Sequence, residues 1–165
     1  MLRPLLFVIA LVQWLALSAS AATLVGTFLA SIDDHATVFV NGSKVFHGDL
    51  GTSRSGQTTL NVGDRVIVHM SNDQGPKHLL LVFATTDGKQ IVSFRASDFH
   101  IVPELGVNTF DGGQFPKWTK QARKLQGTKG LDREVKNYSE RVWGDLDKCT
   151  LACVITAQMV TPRPR

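Results

Sequence analysis

Apolar and polar residues alternate along much of the chain between residues 23 and 95, which is typical of half-buried β-strands. Arg65–Met70 shows the alternation most clearly, with three apolar side chains on one face and Arg65, Ile67 and His69 on the other. His78–Ala84 is almost continuously apolar, so it predicts a central strand that is buried on both faces. Successive strands without intervening helices predict an antiparallel β-sandwich or jelly roll.

Turn residues separate these strands. Asn41-Gly42 follows Ala36–Val40 and supplies the two positive φ angles of a type I′ turn, so it predicts a hairpin with Lys44–Phe46. Gly48–Gly56 is rich in Gly and Ser and predicts a loop. The remaining predicted strands are Thr23–Ile32, Gln57–Val62, Lys89–Arg95 and the β-like run Cys149–Val160.

The chain between residues 105 and 148 has a less regular pattern, with turn residues and scattered aromatic residues. Trp118–Leu125 predicts one or two helical turns, and Leu131–Val142 predicts a short helix or an excursion from the sheets. We expect the first and last strands to lie side by side and close a sheet. The predicted fold is therefore an all-β, antiparallel β-sandwich of the jelly-roll kind, with one or two short helices in its C-terminal half.

The first 21 residues have the pattern of a secretory signal peptide. Arg3 precedes the apolar run Leu5–Leu17, and Ala19-Ser20-Ala21 fits the small-residue cleavage pattern. The apolar run is shorter than the roughly 20 residues that a transmembrane helix needs, although an uncleaved signal anchor is the alternative. The sequence predicts a cleaved signal over 1–21, one domain over 22–160, and a disordered basic tail over 161–165. The protein is then secreted, without a stable membrane anchor.

The formal net charge of the chain is +4, and the excess is uneven. Basic residues gather between Lys117 and Lys136, and the chain ends Pro162-Arg163-Pro164-Arg165. A patch of this size favours anionic glycans or surfaces, or it is a solvated face with no partner. We expect no nucleic acid among the partners.

Two cysteines, Cys149 and Cys153, lie beyond the predicted signal. An even number of cysteines in an exported chain favours a disulfide bond. In an extended strand this spacing separates the Cα atoms by roughly 13 Å, whereas a bridge tolerates about 7 Å. An intrachain bridge therefore requires a bulge or tight turn at these residues. We predict that bridge; in a plain strand the cysteines instead pair elsewhere or stay reduced.

The sequence shows no motif of a catalytic site. The histidines have no zinc-protease or other metal-ligand spacing, and no Gly-x-Ser-x-Gly elbow is present. His69 and His78 are expected to pair across a hairpin at the surface. Asn41 and Asn137 begin N-glycosylation sequons, of which Asn137 lies in the more exposed segment. We therefore expect a glycoprotein that is not an enzyme.

In its order of motifs, the chain resembles the galactose-binding-like β-sandwich of secreted proteins. The matching residues are Asp33-Asp34, Val38–Gly42, Leu60–Ile67, Asn72–Leu80 with Gly75-Pro76, Phe115–Trp118, Ala122, Arg141–Gly144 and Asp145–Val154. The resemblance implies a jelly-roll module that binds carbohydrate or an extracellular protein. It requires no cofactor, apart from the structural Ca²⁺ that some members carry.

The carboxylates of Asp33 and Asp34 are the hard oxygen ligands that such a Ca²⁺ takes. Alternatively, they cap the turn before the hairpin strand by accepting hydrogen bonds from nearby N–H groups.

Two tryptophans are candidate sugar-stacking platforms. Trp118 has Lys117 and Arg123 near it in sequence, and Trp143 belongs to the predicted aromatic end of the sandwich. The alternative is that both tryptophans belong to the core. We expect Trp118, Trp143, Lys117 and Arg123 to bind the ligand.

Together these patterns predict a secreted, non-catalytic binding module with a carbohydrate ligand, similar to a lectin. The alternative is an extracellular structural or matrix protein that binds other proteins and self-assembles. An oligomer is compatible with either role.

Overall fold

The computed structural model describes residues 23–73, 75, 77–102, 120–121, 123–124, 138–144 and 146–163. Within them the chain forms two antiparallel sheets packed as a sandwich, which confirms the predicted fold class. The predicted signal peptide lies outside the described residues. The strands are β1 (Leu24–Ile32), β2 (His35–Val40), β3 (Ser43–Gly48), β4 (Gly51–Arg54), β5 (Thr58–Leu60), β6 (Arg65–Ser71), β7 (Leu79–Thr85), β8 (Gln90–Ser93), β9 (His100–Val102), β10 (Lys120–Gln121), β11 (Arg123–Lys124), β12 (Val142–Trp143), β13 (Lys148–Val154) and β14 (Val160–Pro162).

The two sheets have different strand orders. One sheet runs β11-β12-β7-β1-β4, with β5 also paired to β1, β8 paired to β7, and β14 paired to β8. The other sheet, which we call the six-stranded sheet, runs β10-β9-β13-β6-β2-β3. Alternate residues of the strands point between the sheets, where they form the main core. Its large, fully buried side chains include Phe28, Phe83, Phe94, Phe99, Leu81, Leu151 and Trp143.

The strand β7 is buried along its whole length, as its continuous apolar sequence predicts. Leu79, Leu81 and Phe83 face the main core, where the ring of Phe83 meets the edge of Phe28 at 5.1 Å between centroids. Its other face belongs to a second apolar cluster, against which Tyr138 packs. This outer cover explains why β7 needs apolar residues at every position.

The predicted hairpin between β2 and β3 is confirmed. Asn41 has φ 49° and Gly42 has φ 83°, as a type I′ turn requires. The Asn41 side chain also ties the turn to its neighbour: its Nδ2 donates to Asp64 Oδ1 at 2.8 Å, and its Oδ1 accepts from the Arg65 backbone N–H at 2.9 Å. Glycosylation of Asn41 stays a prediction, as does that of Asn137, which lies outside the described residues.

Other local predictions need correction. The segment predicted as a Gly- and Ser-rich loop contains β4, which pairs with β1. The described parts of the predicted helix Trp118–Leu125 are short strands, β10 and β11, which belong to different sheets. Helical structure among the described residues includes two 3₁₀ turns in the C-terminal half, Ala96–Asp98 and Ala157–Met159.

The C-terminal residues are also arranged differently from the prediction. The final strand β14 pairs with β8 rather than with β1. The predicted disordered tail therefore begins too early, because Thr161 and Pro162 belong to β14. The Arg163 N–H donates to the Lys89 carbonyl at 2.8 Å, which extends this contact by one more residue.

The predicted bridge between Cys149 and Cys153 is not formed. Both lie in the regular strand β13, where Cys149 is opposite Met70 and Cys153 is opposite Val66 in β6. Neither cysteine takes part in a disulfide bond among the described residues, and both are buried. The regular pairing with β6 provides no bulge or tight turn to bring the two sulfur atoms together, so the plain-strand alternative holds.

Candidate functional site

Four polar side chains form a row across the outer face of the six-stranded sheet. His47 of β3 is opposite Thr37 of β2, Thr37 is opposite His69 of β6, and His69 is opposite Thr150 of β13. We call these four residues the polar row. Their neighbours along each strand point into the core, since successive side chains of a strand take opposite faces.

Hydrogen bonds join the polar row into two pairs. The Thr37 hydroxyl lies 2.8 Å from His47 Nδ1, and the Thr150 hydroxyl lies 2.8 Å from His69 Nδ1. A threonine hydroxyl can donate to a neutral imidazole nitrogen or accept from a protonated one, because its hydrogen rotates. Each pair therefore keeps its ring oriented whichever nitrogen carries the proton.

A cluster of imidazoles and carboxylates adjoins one end of the polar row. His35 Nδ1 lies 2.7 Å from Asp49 Oδ1, and His47 Nε2 lies 3.5 Å from the same oxygen. His35 Nε2 is 3.7 Å from Asp73 Oδ2. The hydrogen bond with Asp49 raises the pKa of His35, and it lowers the pKa of Asp49. These groups are largely exposed, so each ion pair contributes little to stability.

Apolar side chains lie beside the polar row on the same outer face. Phe39, two residues along β2 from Thr37, meets the His69 ring edge-on with 5.4 Å between centroids. Phe39 also packs against the buried side chains of Ile67, Val102 and Ala152. The outer face therefore has a polar half and an apolar half that meet at His69.

A groove of about 420 Å³ follows the polar half of this face. It is lined by the polar row together with His35, Ser71 and Lys148, which occupy facing positions on β2, β6 and β13. This volume lies within the range of about 300–1,000 Å³ that is usual for ligand pockets.

The predicted Ca²⁺ ligands lie in the turn between β1 and β2. The amide nitrogen of Asn72 donates to Asp33 Oδ2 and to Asp34 Oδ2, each at 3.2 Å, and Asp34 Oδ2 also accepts from the Asp73 backbone N–H. Burial, and then the charge of Asp34, raises the pKa of Asp33, while Arg141 acts in the opposite direction.

These contacts join the β1–β2 turn to the segment that follows β6, so the donors are not the local N–H groups of the turn-capping alternative. Across the described ranges, no three His, Cys, Asp or Glu side chains are grouped so as to hold a metal ion. A structural Ca²⁺ at Asp33 and Asp34 stays a prediction.

Of the four predicted ligand-binding residues, the structure describes two, Trp143 and Arg123, which are neighbours on paired strands. Trp143 is fully buried, and its indole N–H donates to the Leu146 carbonyl at 2.9 Å, so it belongs to the core and cannot stack on a ligand. Arg123 lies in β11, where it pairs with Trp143. Lys117 and Trp118 lie outside the described residues, and their role stays a prediction.

The predicted pairing of His69 with His78 is wrong, because β6 and β7 belong to different sheets. His78 instead lies directly before β7, with its Nε2 3.4 Å from the hydroxyl of the buried Ser31. Burial, with a contribution from Arg141, lowers the pKa of His78 to about 4.

Sequence reasoning missed the polar row. Its signal is weak but present: Thr37, His69 and Thr150 are polar residues at outward-facing positions of strands that are otherwise largely apolar. Only the register between the strands shows that these positions are neighbours.

Comparison with known proteins found no matching family model, no matching curated protein and no matching solved structure. The galactose-binding-like resemblance therefore stays a prediction. The described residues form no helix with the length and apolar character needed to cross a membrane.

Proposed function

We propose that this chain is a secreted, non-catalytic carbohydrate-binding module whose ligand lies in the groove along the polar row. The observation that carries the proposal is the arrangement of His47, Thr37, His69 and Thr150 in register across four adjacent strands, beside the ring of Phe39.

A sugar presents hydroxyl groups around an apolar C–H surface, so it is complementary to a face that has both characters. Thr37, His47 and His69 supply donors and acceptors at fixed positions, because each belongs to a paired strand. The Thr150 hydroxyl, which is buried, holds the His69 ring in place. Phe39 supplies the adjacent apolar surface. Rigid strands lower the entropic cost of binding, since these side chains are already oriented before the ligand arrives.

The surroundings of Thr37 support a binding role over a catalytic one. Thr37, His47 and Asp49 form a hydroxyl–imidazole–carboxylate series, which resembles a nucleophile with its base. However, β2 lies between β3 and β6, and from Ala36 to Val38 it is in regular register with both, so the backbone N–H groups around Thr37 are committed to the two ladders. They are then not available to stabilise an oxyanion next to the Thr37 hydroxyl.

The proposal is tested by screening the purified chain against a broad glycan array and measuring affinity for the best ligand. Thr37→Val preserves the shape and strand preference of the residue and removes its hydroxyl. We expect at least about tenfold weaker binding from the lost hydrogen bonds. Thr59→Val in β5, on the other sheet, is the matched control and should bind like the wild type.

Unchanged affinity of the Thr37→Val variant would move the ligand away from the polar row. Loss of binding in a parallel Trp118→Ala variant alone would assign the ligand to Trp118 instead. Absence of any glycan ligand, together with concentration-dependent polymers in light scattering, would replace the proposal with the self-assembling structural role.

A further inference from the structure

A second, smaller pocket lies at the other end of the sandwich from the groove. It has a volume of about 180 Å³ and is formed where the 3₁₀ turn Ala96–Asp98 meets the 3₁₀ turn Ala157–Met159. The groove adjoins the beginning of β13, at Lys148, whereas this pocket follows the end of β13 at Val154. The two sites are therefore separate.

Backbone contacts hold the walls of this pocket in place. The Asp98 N–H donates to the Arg95 carbonyl at 3.0 Å, and the Met159 N–H donates to the Thr156 carbonyl at 3.1 Å. Pairing of β14 with β8 joins the two walls, and the Thr161 hydroxyl is directed to the Ile91 carbonyl at 3.4 Å. The pocket is thus built on paired strands and closed turns.

The lining combines one cation, Arg95, and one anion, Asp98, with several neutral polar groups. The side chains of Ser93, Ser97, Thr156 and Thr161 contribute hydroxyls. Arg95 is exposed and forms no ion pair within the described part of the chain. An exposed guanidinium without an ion pair can bind a carboxylate or sulfate through two parallel hydrogen bonds.

Asp98 narrows the class of ligand. One of its carboxylate oxygens accepts from the Arg95 backbone N–H at 2.8 Å, and the carboxylate can still accept further hydrogen bonds. Its negative charge opposes a small inorganic anion beside it, but its oxygens are good acceptors for hydroxyl groups. A ligand that carries both an acidic group and hydroxyls satisfies Arg95 and Asp98 together.

We propose that this pocket binds one anionic sugar unit, with the acidic group on Arg95 and ring hydroxyls on Asp98 and the surrounding hydroxyls. The inference rests on the proposed function, because it specifies a carbohydrate ligand for a carbohydrate-binding protein. The pocket is well below the usual size of ligand pockets, about 300–1,000 Å³, so it takes a single unit rather than a chain.

The test is a calorimetric titration of the purified chain at constant ionic strength with glucuronate, glucose and acetate as separate probes. Glucuronate should bind at least about tenfold more tightly than glucose or acetate, since only it supplies both kinds of group. Arg95→Gln should weaken glucuronate binding at least about tenfold by removing the charge-assisted hydrogen bonds. Arg54→Gln, which removes an exposed arginine from β4, is the control and should bind like the wild type.

Equal binding of glucuronate to the Arg95→Gln variant and the wild type would overturn the inference. Binding of acetate as tight as glucuronate, or equal weakening by Arg54→Gln, would also overturn it by showing a general charge effect. Glucuronate binding lost in Thr37→Val but retained in Arg95→Gln would refute this pocket and leave the groove proposal intact. Loss in Arg95→Gln with no effect of Thr37→Val would support the pocket independently of the groove.

Discussion

Gly26 lies in β1 against the backbone of β7, and no larger residue fits there without a shift. A Cβ atom at this position would be 2.1 Å from the Ala84 carbonyl oxygen and 2.9 Å from a ring carbon of Phe83. Because paired backbone cannot move aside easily, Gly26→Ala should lower the free energy of unfolding by about 2 kcal/mol or more.

Urea unfolding checks the Gly26 prediction, with Gly56→Ala as control. A Cβ on Gly56 meets nothing within 4 Å, so its effect should stay within about 0.5 kcal/mol. Equal unfolding midpoints for the two variants would show that β1 and β7 are not packed as closely as described.

His78 should make the stability of the protein depend on pH. Its pKa is about 4 in the folded protein and near 6.5 when unperturbed, because burial and the nearby Arg141 disfavour its charged form. The unfolded chain therefore takes up the proton first, so His78 stabilises the fold fully above pH 6.5 and loses that contribution as the pH falls towards 4. His78→Gln should remove this part of the pH dependence.

The measurement is the free energy of unfolding of the wild type and of the His78→Gln variant, each at pH 7 and pH 4.5. Comparison with the variant is necessary because the raised pKa of Asp33 acts in the opposite sense, favouring the fold as the pH falls. An identical change between the two pH values in both proteins would contradict the assignment to His78.

At the scale of elements, the short strand β14 covers the edge of β8. Its three residues pair with Gln90, Ile91 and Val92, and Arg163 adds one backbone bond beyond them. A chain ending at Met159 should unfold at lower denaturant concentration and bind more of a hydrophobic dye, because the β8 edge loses its partner. A chain ending at Arg163, which lacks only Pro164 and Arg165, should match the full chain. Equal stability of both truncations would show that the tail is dispensable.

The sequence predicts most described strands, because alternation and turn residues act locally. The β2–β3 hairpin, β6 and β7 are all visible in it. By contrast, the sequence does not predict β4, because its Gly and Ser residues are typical of a loop. The segment is a strand because it pairs with β1. The assignment of strands to sheets is not local either, so the sequence does not show that β6, which holds His69, and β7, which follows His78, belong to different sheets. The polar row could not be predicted, since it depends on the register of four strands.

At the scale of the whole molecule, the sandwich is held by its core without a bridge between Cys149 and Cys153. Burial, with the charge of Asp98, raises the pKa of the Cys153 thiol far above its ordinary value, which makes it unreactive. A reducing agent should therefore leave the unfolding midpoint unchanged. Both thiols should react with an alkylating agent in denaturant and be protected in the native protein. A native mass lower by two hydrogens, together with a midpoint that falls on reduction, would contradict this.

The position of β1 has a consequence for how the chain reaches its fold. This strand lies inside its sheet, and its partner β7 comes much later in the sequence, since Gly26 pairs with Thr85. In the other sheet His69 likewise pairs with the distant Thr150. Closing such long loops costs chain entropy before the contacts form, so folding should take roughly milliseconds to seconds. During that interval β7 has only its hairpin partner β8, and its other edge, which later pairs with β1, stays open to aggregation.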